Sequence, residues 1–169
     1  MTTHLDHQTI KEKIVTVLQG NSAIFETPPT SASKFRIIQV GAPDFNKIED
    51  LPAPSCYIID DERIIEEDKR VAPHSLGISF GDEVTWRYLI IFIVDAKDSQ
   101  RAEELLDDFQ KEIMETILEN VKFGDVSAVT TNTVLDDSWP EKVMVLNPNM
   151  LGKEQQGRII QLWCKKTIS

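Results

Sequence analysis

The chain has 169 residues and a mass of 19.2 kDa, which fits one ordinary domain. Its 41% hydrophobic and 27% charged residues exclude a disordered or collagen-like protein. Eighteen Lys and Arg residues against 28 Asp and Glu residues give a net charge of −10. This charge disfavours the binding of nucleic acid through its phosphates. The longest apolar run, residues 88–94, is far shorter than the roughly 20 residues of a membrane-spanning helix, so we expect a single domain over residues 1–169 and no membrane partner.

The N-terminal segment has the apolar spacing of an amphipathic helix. Ile10, Ile14 and Leu18 recur at intervals of four residues, which places them on one face. Gly20 follows directly, and residues 27–33 have the Pro and Ser content of a loop. The sequence therefore predicts a helix over residues 5–19.

Three strands are predicted next, at residues 35–40, 56–65 and 83–95. In the last of these, both alternating sets of side chains are apolar over the second half, as expected of a central strand that is covered on both faces. Prolines interrupt residues 41–54 and disfavour regular structure there.

The rest of the chain reads as one long helix followed by further strands. Asp98 or Ser99 can cap a helix over residues 98–121 whose apolar residues share one face. Strand-like runs follow at residues 128–135, 143–146 and 158–168. The order predicts an α+β domain: a mostly antiparallel mixed sheet core over residues 35–169, two amphipathic helices packed on it, and a long hairpin extension.

Motifs of catalysis and cofactor binding are missing from the sequence. There is no glycine-rich phosphate loop, no G-x-S-x-G and no H-E-x-x-H. Cys56 and Cys164 form no Cys-x-x-Cys motif, and the pair His4 and His7 is expected to lie on a solvated chain terminus. We therefore expect no catalytic residue, no cofactor and no metal, and a protein that is not an enzyme.

One acidic cluster overlaps the end of the second predicted strand and continues beyond it. An alternative function for it is a metal-dependent hydrolase site, although the cluster lacks the glycine-turned loop of a calcium site. Its carboxylates are those of Asp60, Asp61, Glu62, Glu66, Glu67 and Asp68.

A second acidic cluster forms a stripe along the helix predicted at residues 98–121. Like charges four residues apart destabilise a helix slightly, so this stripe does not serve helix stability. It is either a solvated outer face or a surface that repels DNA or meets a basic partner. The acidic stripe consists of Glu104, Asp108, Glu112, Glu115 and Glu119.

The connection over residues 66–82 is longer than compact domains usually contain. Its apolar residues have no evident core to join. A hairpin that orders against a neighbouring subunit explains both features, and an ordinary loop is the alternative. The candidate assembly residues are Val71, Leu76, Ile78 and Phe80.

The order of elements resembles the tail-terminator, or tail-completion, proteins of long-tailed bacteriophages and related minor tail proteins. The resemblance follows from the N-terminal helix, the long predicted hairpin and four segments. These segments are LPAPSCYIID (residues 51–60), TWRYLIIFIVD (85–95), SQRAEELLDDFQKEIMETIL (99–118) and GRIIQLWCKK (157–166).

The resemblance implies a structural virion protein without catalytic activity. Such a protein is made in the host cytoplasm and forms a hexameric ring at the head-proximal end of the tail. The ring caps the tail tube and docks it to the head connector or stopper protein, while DNA passes through the bore without specific binding. Either the acidic stripe or the acidic run from Asp60 to Asp68 is then a candidate lining of the bore. The rival classes are the metal-dependent hydrolase and an acidic adaptor that mimics DNA. Among phage proteins, a head-tail stopper or a sheath-associated tail protein is the alternative to a terminator.

Overall fold

In the part of the chain that the structure describes, two α-helices and a five-stranded mixed sheet form the fold, so the α+β prediction is confirmed. The helices are α1 (His7–Gln19) and α2 (Ser99–Glu119). The strands are β1 (Ile37–Val40), β2 (Ser55–Asp60), β3 (Glu83–Asp95), β4 (Asp137–Val145) and β5 (Gln155–Thr167). The computed structural model describes residues 7–29, 31–50, 52–61, 83–95, 97–121, 123, 135–152 and 154–167.

The strands lie in the order β1-β2-β3-β5-β4. Among the strands that the structure describes, β1 and β2 pair in parallel, and the pairs β2–β3, β3–β5 and β4–β5 are antiparallel. Strand β3 is the centre, as predicted from its two apolar faces, because it pairs with β2 on one side and along its whole length with β5 on the other.

Both helices cover the same face of the sheet. The side chains of Tyr88 and Ile90 in β3 are buried there together with Ile14 of α1 and Ile113 of α2. Asp98 caps α2, since its side chain accepts a hydrogen bond from the backbone N–H of Gln100. This face holds the main hydrophobic core.

The opposite face of the sheet holds a smaller apolar cluster. Tyr57, Ile91 and Ile93 are buried there, and Leu146, directly after β4, packs against them. Half-buried apolar residues continue the cluster along the strands, namely Ile59, Leu89 and Ile159. The sheet is therefore apolar on both faces, as the sequence of β3 predicts.

The C-terminal strands differ from the prediction. Strand β4 begins at Asp137 and not at residue 143, because its first half is polar and has a register shift between Pro140 and Lys142 that hides the alternation. A strand was expected at residues 128–135. Leu135 precedes β4 outside any strand, and residues 128–134 lie outside the described residues. Strand β5 begins three residues earlier than expected, at Gln155.

Smaller differences concern the other boundaries. Strand β1 begins at Ile37, because Phe35 forms an isolated bridge with Phe25 instead. Strand β2 ends at Asp60, whereas the sequence predicted a strand over residues 56–65. Residues 62–65 lie outside the described part. Helix α2 ends at Glu119 rather than residue 121. The predicted hairpin and its residues Val71, Leu76, Ile78 and Phe80 also lie outside the described residues.

Candidate functional site

The acidic stripe follows the solvent side of α2. The side chains of Glu104, Asp108, Glu115 and Glu119 are exposed, and Glu112 is half-buried. Near the start of the helix, Glu104 pairs with Arg101 at 3.4 Å. Because the other side of α2 packs on the sheet, the stripe projects away from the core.

The last part of the stripe faces the end of α1. Asn21 donates from Nδ2 to the Glu112 carboxylate at 3.2 Å and to the Thr116 hydroxyl at 2.9 Å. A groove of about 560 Å³ lies between the two helices here, and Glu115 and Glu119 also line it. We call it the helix groove. Part of the acidic stripe therefore supports the packing of α1 against α2, a role that the sequence analysis missed.

A second acidic row on α2 anchors the helix to the sheet. The guanidinium of Arg158 in β5 donates to Glu103, Asp107 and Gln110, each at 2.7 Å. The side chain of Arg158 is only 13% exposed, whereas both carboxylates remain largely in solvent. Arg158 lies about 50 residues from its partners, so no local pattern in the sequence indicates this cluster.

The carboxylates of Asp60 and Asp61 do not converge. Asp60 lies on the helix side of the sheet, where the Lys11 ammonium contacts it at 2.8 Å. Asp61 is buried on the other side, 3.6 Å from Nε of Arg87. Neighbouring residues of an extended chain point to opposite faces, so the sheet separates the two carboxylates. Asp60 therefore pairs with Lys11, and Asp61 pairs with Arg87. Glu62, Glu66, Glu67 and Asp68 lie outside the described residues.

Within the described part of the chain, no group of three or more His, Cys, Asp or Glu side chains is placed to hold a metal ion. His7 is half-buried and not solvated as expected, since its Nδ1 lies 2.7 Å from the Tyr88 hydroxyl and its ring packs edge-on against Trp86. Cys56 and Cys164 are buried, and burial raises the pKa of both thiols far above its usual range. Both thiols are therefore unreactive in the folded protein.

An aromatic cluster occupies the face of the sheet away from the helices. The guanidinium of Arg87 stacks over the ring of Trp163 at 4.6 Å, and Trp139 lies parallel to Trp163 with 6.2 Å between ring centroids. The indole N–H of Trp163 donates to Glu141. Stacked Trp and Arg side chains are typical of protein interfaces and also of ordinary sheet surfaces.

A second groove lies at the end of the sheet where β4 turns into β5. We call this the end groove. Its volume is about 440 Å³, and the first turns of α2 form one wall and the β4–β5 connection the other. Val145, at its mouth, is 77% exposed. Its apolar lining consists of Leu106, Val145, Leu146, Pro148 and Leu151, and its charged rim consists of Lys97, Glu103, Glu154 and Arg158.

The shape of the end groove depends on a short, well-bonded connection. A 3-10 turn at Pro148–Met150 is followed by a turn in which Gln155 donates its backbone N–H to the carbonyl of Gly152 at 3.0 Å. The Gln155 side chain in turn accepts from the Gly152 N–H at 3.0 Å. These two hydrogen bonds fix the turn that leads into β5 at the edge of the groove.

Comparisons with known proteins leave the family open. The chain matches no protein-family model and no curated protein sequence. Among the described residues, no helix has the length and apolar character needed to cross a bilayer.

Proposed function

We propose that the chain is a structural protein of a long-tailed phage virion, a tail terminator without catalytic activity. In this proposal six copies close into a ring that caps the tail tube and docks it to the head connector or stopper protein. The ring is assembled in the host cytoplasm and stays at the head-proximal end of the tail. The element order that resembles this family supports the proposal.

The structural observation that supports it best is the acidic stripe. Four of its five carboxylates are exposed along one side of a 21-residue helix. A bore lined in this way repels the phosphates of DNA, so the DNA passes through the ring without binding to its wall. If the stripe on α2 faces the bore, its concentrated negative charge serves to keep DNA from binding to the wall.

A labelling experiment tests the position of the stripe. In the variant Asp108→Cys, a heavy-atom or gold maleimide label reacts at the new cysteine, because the native thiols are buried. The proposal predicts that electron microscopy of rings places the label at the inner rim. The same label on the variant Lys47→Cys, which is also an exposed position, serves as the comparison. Label density on the outer rim for Asp108→Cys would contradict a bore lining.

The two rival functions give different results. A hydrolase that uses Asp60 and its neighbours predicts a higher melting temperature when Mg²⁺ or Mn²⁺ is added, whereas the ring proposal predicts no metal effect. The pairing of Asp60 with Lys11 and of Asp61 with Arg87 disfavours a shared metal. An acidic DNA-mimic adaptor predicts a monomer or dimer bound to a basic protein.

A further inference from the structure

A small polar pocket opens on the face of the sheet away from the helices, beside the aromatic cluster. Its volume is about 390 Å³, within the range of small-molecule binding sites. We call it the Arg87 pocket. Its lining consists of Arg87, Glu141, Lys142, Met144 and Gln161. All five residues belong to β3, β4 or β5, so the sheet itself forms the site.

The pairing of the strands brings these side chains together. Gln161 of β5 lies opposite Lys142 of β4. Two residues further on, Trp163 lies on the same face of β5, opposite Arg87 of β3. A register shift in β4 just before Lys142 lets Glu141 face the pocket as well, where it accepts the indole N–H of Trp163. Bulges that redirect a side chain in this way are common beside functional sites.

The guanidinium of Arg87 is held in place but keeps N–H groups available. It stacks over Trp163, and the side chain is only 18% exposed. The carboxylates of Asp61 and Glu141 approach Nε and Nη1 to 3.6 and 3.9 Å, which is too long for a hydrogen bond. Within the described part of the chain, the buried Nε has no hydrogen-bond partner. A guanidinium in this state is suited to a planar acceptor such as a carboxylate.

Two further donors line the same pocket. Gln161 is only 4% exposed, and its side-chain amide has no hydrogen-bond partner among the described residues. Buried amides are normally hydrogen-bonded, because burial removes them from water. The side chain of Lys142 is exposed, and no carboxylate of the described residues lies within ion-pair distance of it. The pocket therefore presents donors from three side chains to an acceptor.

The charge of the pocket indicates the kind of acceptor. Two cations, Arg87 and Lys142, against one carboxylate, Glu141, leave a net charge of one positive unit on the lining, although the whole chain carries −10. The lining of the helix groove, by comparison, contains three carboxylates and no cation. Glu141 repels a doubly charged phosphate more strongly than a singly charged carboxylate. A carboxylate with one negative charge therefore matches the Arg87 pocket best.

We propose that the Arg87 pocket binds the carboxylate group of a ligand. Arg87 and Lys142 donate to the two carboxylate oxygens, and the Gln161 amide donates to one of them. Met144 offers an apolar contact to the rest of the ligand. The carboxylate belongs either to a small organic acid or to the C-terminus of a polypeptide. This site goes beyond the proposed function and does not depend on the formation of a ring.

Phenylacetate tests the need for a carboxylate. Phenylacetamide has nearly the same shape without the charge and is the matched control ligand. Ligand-observed NMR titration measures both dissociation constants, whatever the oligomeric state of the protein. We expect phenylacetate to bind at least about tenfold more tightly, because the amide forms no charge-assisted hydrogen bond with two anionic oxygens. Equal binding of the two compounds, or no binding of either up to about 10 mM, would overturn the proposal.

Substitutions separate binding from folding. Lys142→Met removes an exposed cation and should weaken phenylacetate binding at least about fivefold at an unchanged melting temperature. Gln161→Leu should also weaken binding without lowering the melting temperature, because the free protein has no hydrogen bond of this amide to lose. Lys97→Met removes an exposed cation outside the pocket and should leave binding unchanged. Equal affinities of the Lys142→Met and Lys97→Met proteins would contradict the site.

A pair of peptides distinguishes the two sources of the carboxylate. One is acetyl-alanyl-alanyl-phenylalanine with a free C-terminal carboxylate, and the other is its C-terminal amide. Tighter binding of the free-acid peptide than of phenylacetate assigns the site to a polypeptide C-terminus, whereas weaker binding assigns it to a small organic acid. In either case the peptide amide should bind no better than phenylacetamide. A peptide amide that binds as tightly as the free acid would contradict the role of the carboxylate.

Discussion

Lys11 and Asp60 meet at 2.8 Å although 49 positions separate them in the chain. The contact joins the middle of α1 to the last residue of β2, and the side chains are only 11% and 29% exposed. A largely buried pair of this kind holds the helix in one position on the sheet, because either charge alone is costly to bury.

Removal of one partner should therefore destabilise the protein more than removal of both. We expect Asp60→Ala to lower the free energy of unfolding by about 1–3 kcal/mol, since it leaves the Lys11 ammonium without its carboxylate. The double variant Lys11→Met and Asp60→Ala should regain part of that loss. Urea unfolding followed by tryptophan fluorescence measures both.

The more exposed pair of Lys34 and Glu26, at 3.3 Å, is the matched control. Glu26→Ala should change the free energy of unfolding by less than about 0.5 kcal/mol. An equal effect of Asp60→Ala and Glu26→Ala would show that the Lys11 contact adds no special stability.

Arg158 should prove the most important cation for the packing of α2. Arg158→Met keeps the apolar part of the side chain but removes its hydrogen bonds to Glu103, Asp107 and Gln110. We expect a loss of about 1–2 kcal/mol in the free energy of unfolding. The loss stays in this range because water screens the exposed carboxylates. Arg101→Met, at an exposed position of the same helix, should cost less than about 0.5 kcal/mol. Similar losses for both variants would contradict the anchoring role.

Gly157 lines the end groove at a position with no room for a side chain. A methyl group there would lie 2.9 Å from a Leu146 methyl carbon and 3.0 Å from the backbone carbonyl oxygen of Phe92. The carbonyl belongs to the central strand and cannot move freely, so Gly157→Ala should destabilise the fold by about 1–3 kcal/mol. Thermal unfolding checks this, and an unchanged melting temperature would refute the tight packing.

The two buried thiols predict a pH dependence of stability. Burial raises the pKa of Cys56 and Cys164, so the folded state keeps both protons when the unfolded state, with a thiol pKa of about 8.5, releases them. The contribution of the two thiols to the free energy of unfolding is thus complete below about pH 8.5. It decreases as the pH rises further toward the folded-state pKa. Each thiol should add a slope of about −1.4 kcal/mol per pH unit to the free energy of unfolding.

The variant Cys56→Ala isolates this effect. It should remove one thiol's share of the slope between about pH 9 and about pH 10, whatever its effect on stability at neutral pH. Urea unfolding of both proteins at several pH values gives the two slopes. Parallel slopes would show that the Cys56 proton is not retained in the folded state.

The spacing of apolar residues predicted the helices and strands that bury one or both faces at regular intervals. Strand β3 has the predicted bounds, and α2 is capped by Asp98, one of the two predicted caps. The first half of β4 was missed because an edge strand with Pro140 and a register shift lacks the alternation that marks a strand.

Contacts between distant residues were not predictable. The sequence shows that Glu103, Asp107 and Glu112 lie on a helix, but nothing local indicates that Arg158 binds the first two. Likewise, Asn21 binds Glu112 only because the end of α1 packs beside α2. The end groove also requires the fold, since its walls come from α2 and from the β4–β5 connection.

The oligomeric state of the unmodified full chain tests the central proposal most directly. Native mass spectrometry across a range of protein concentrations, with negative-stain images of the same samples, measures both mass and symmetry. The ring proposal predicts a species of six copies with a central opening and six-fold symmetry. A chain that stays monomeric over the whole concentration range would contradict it.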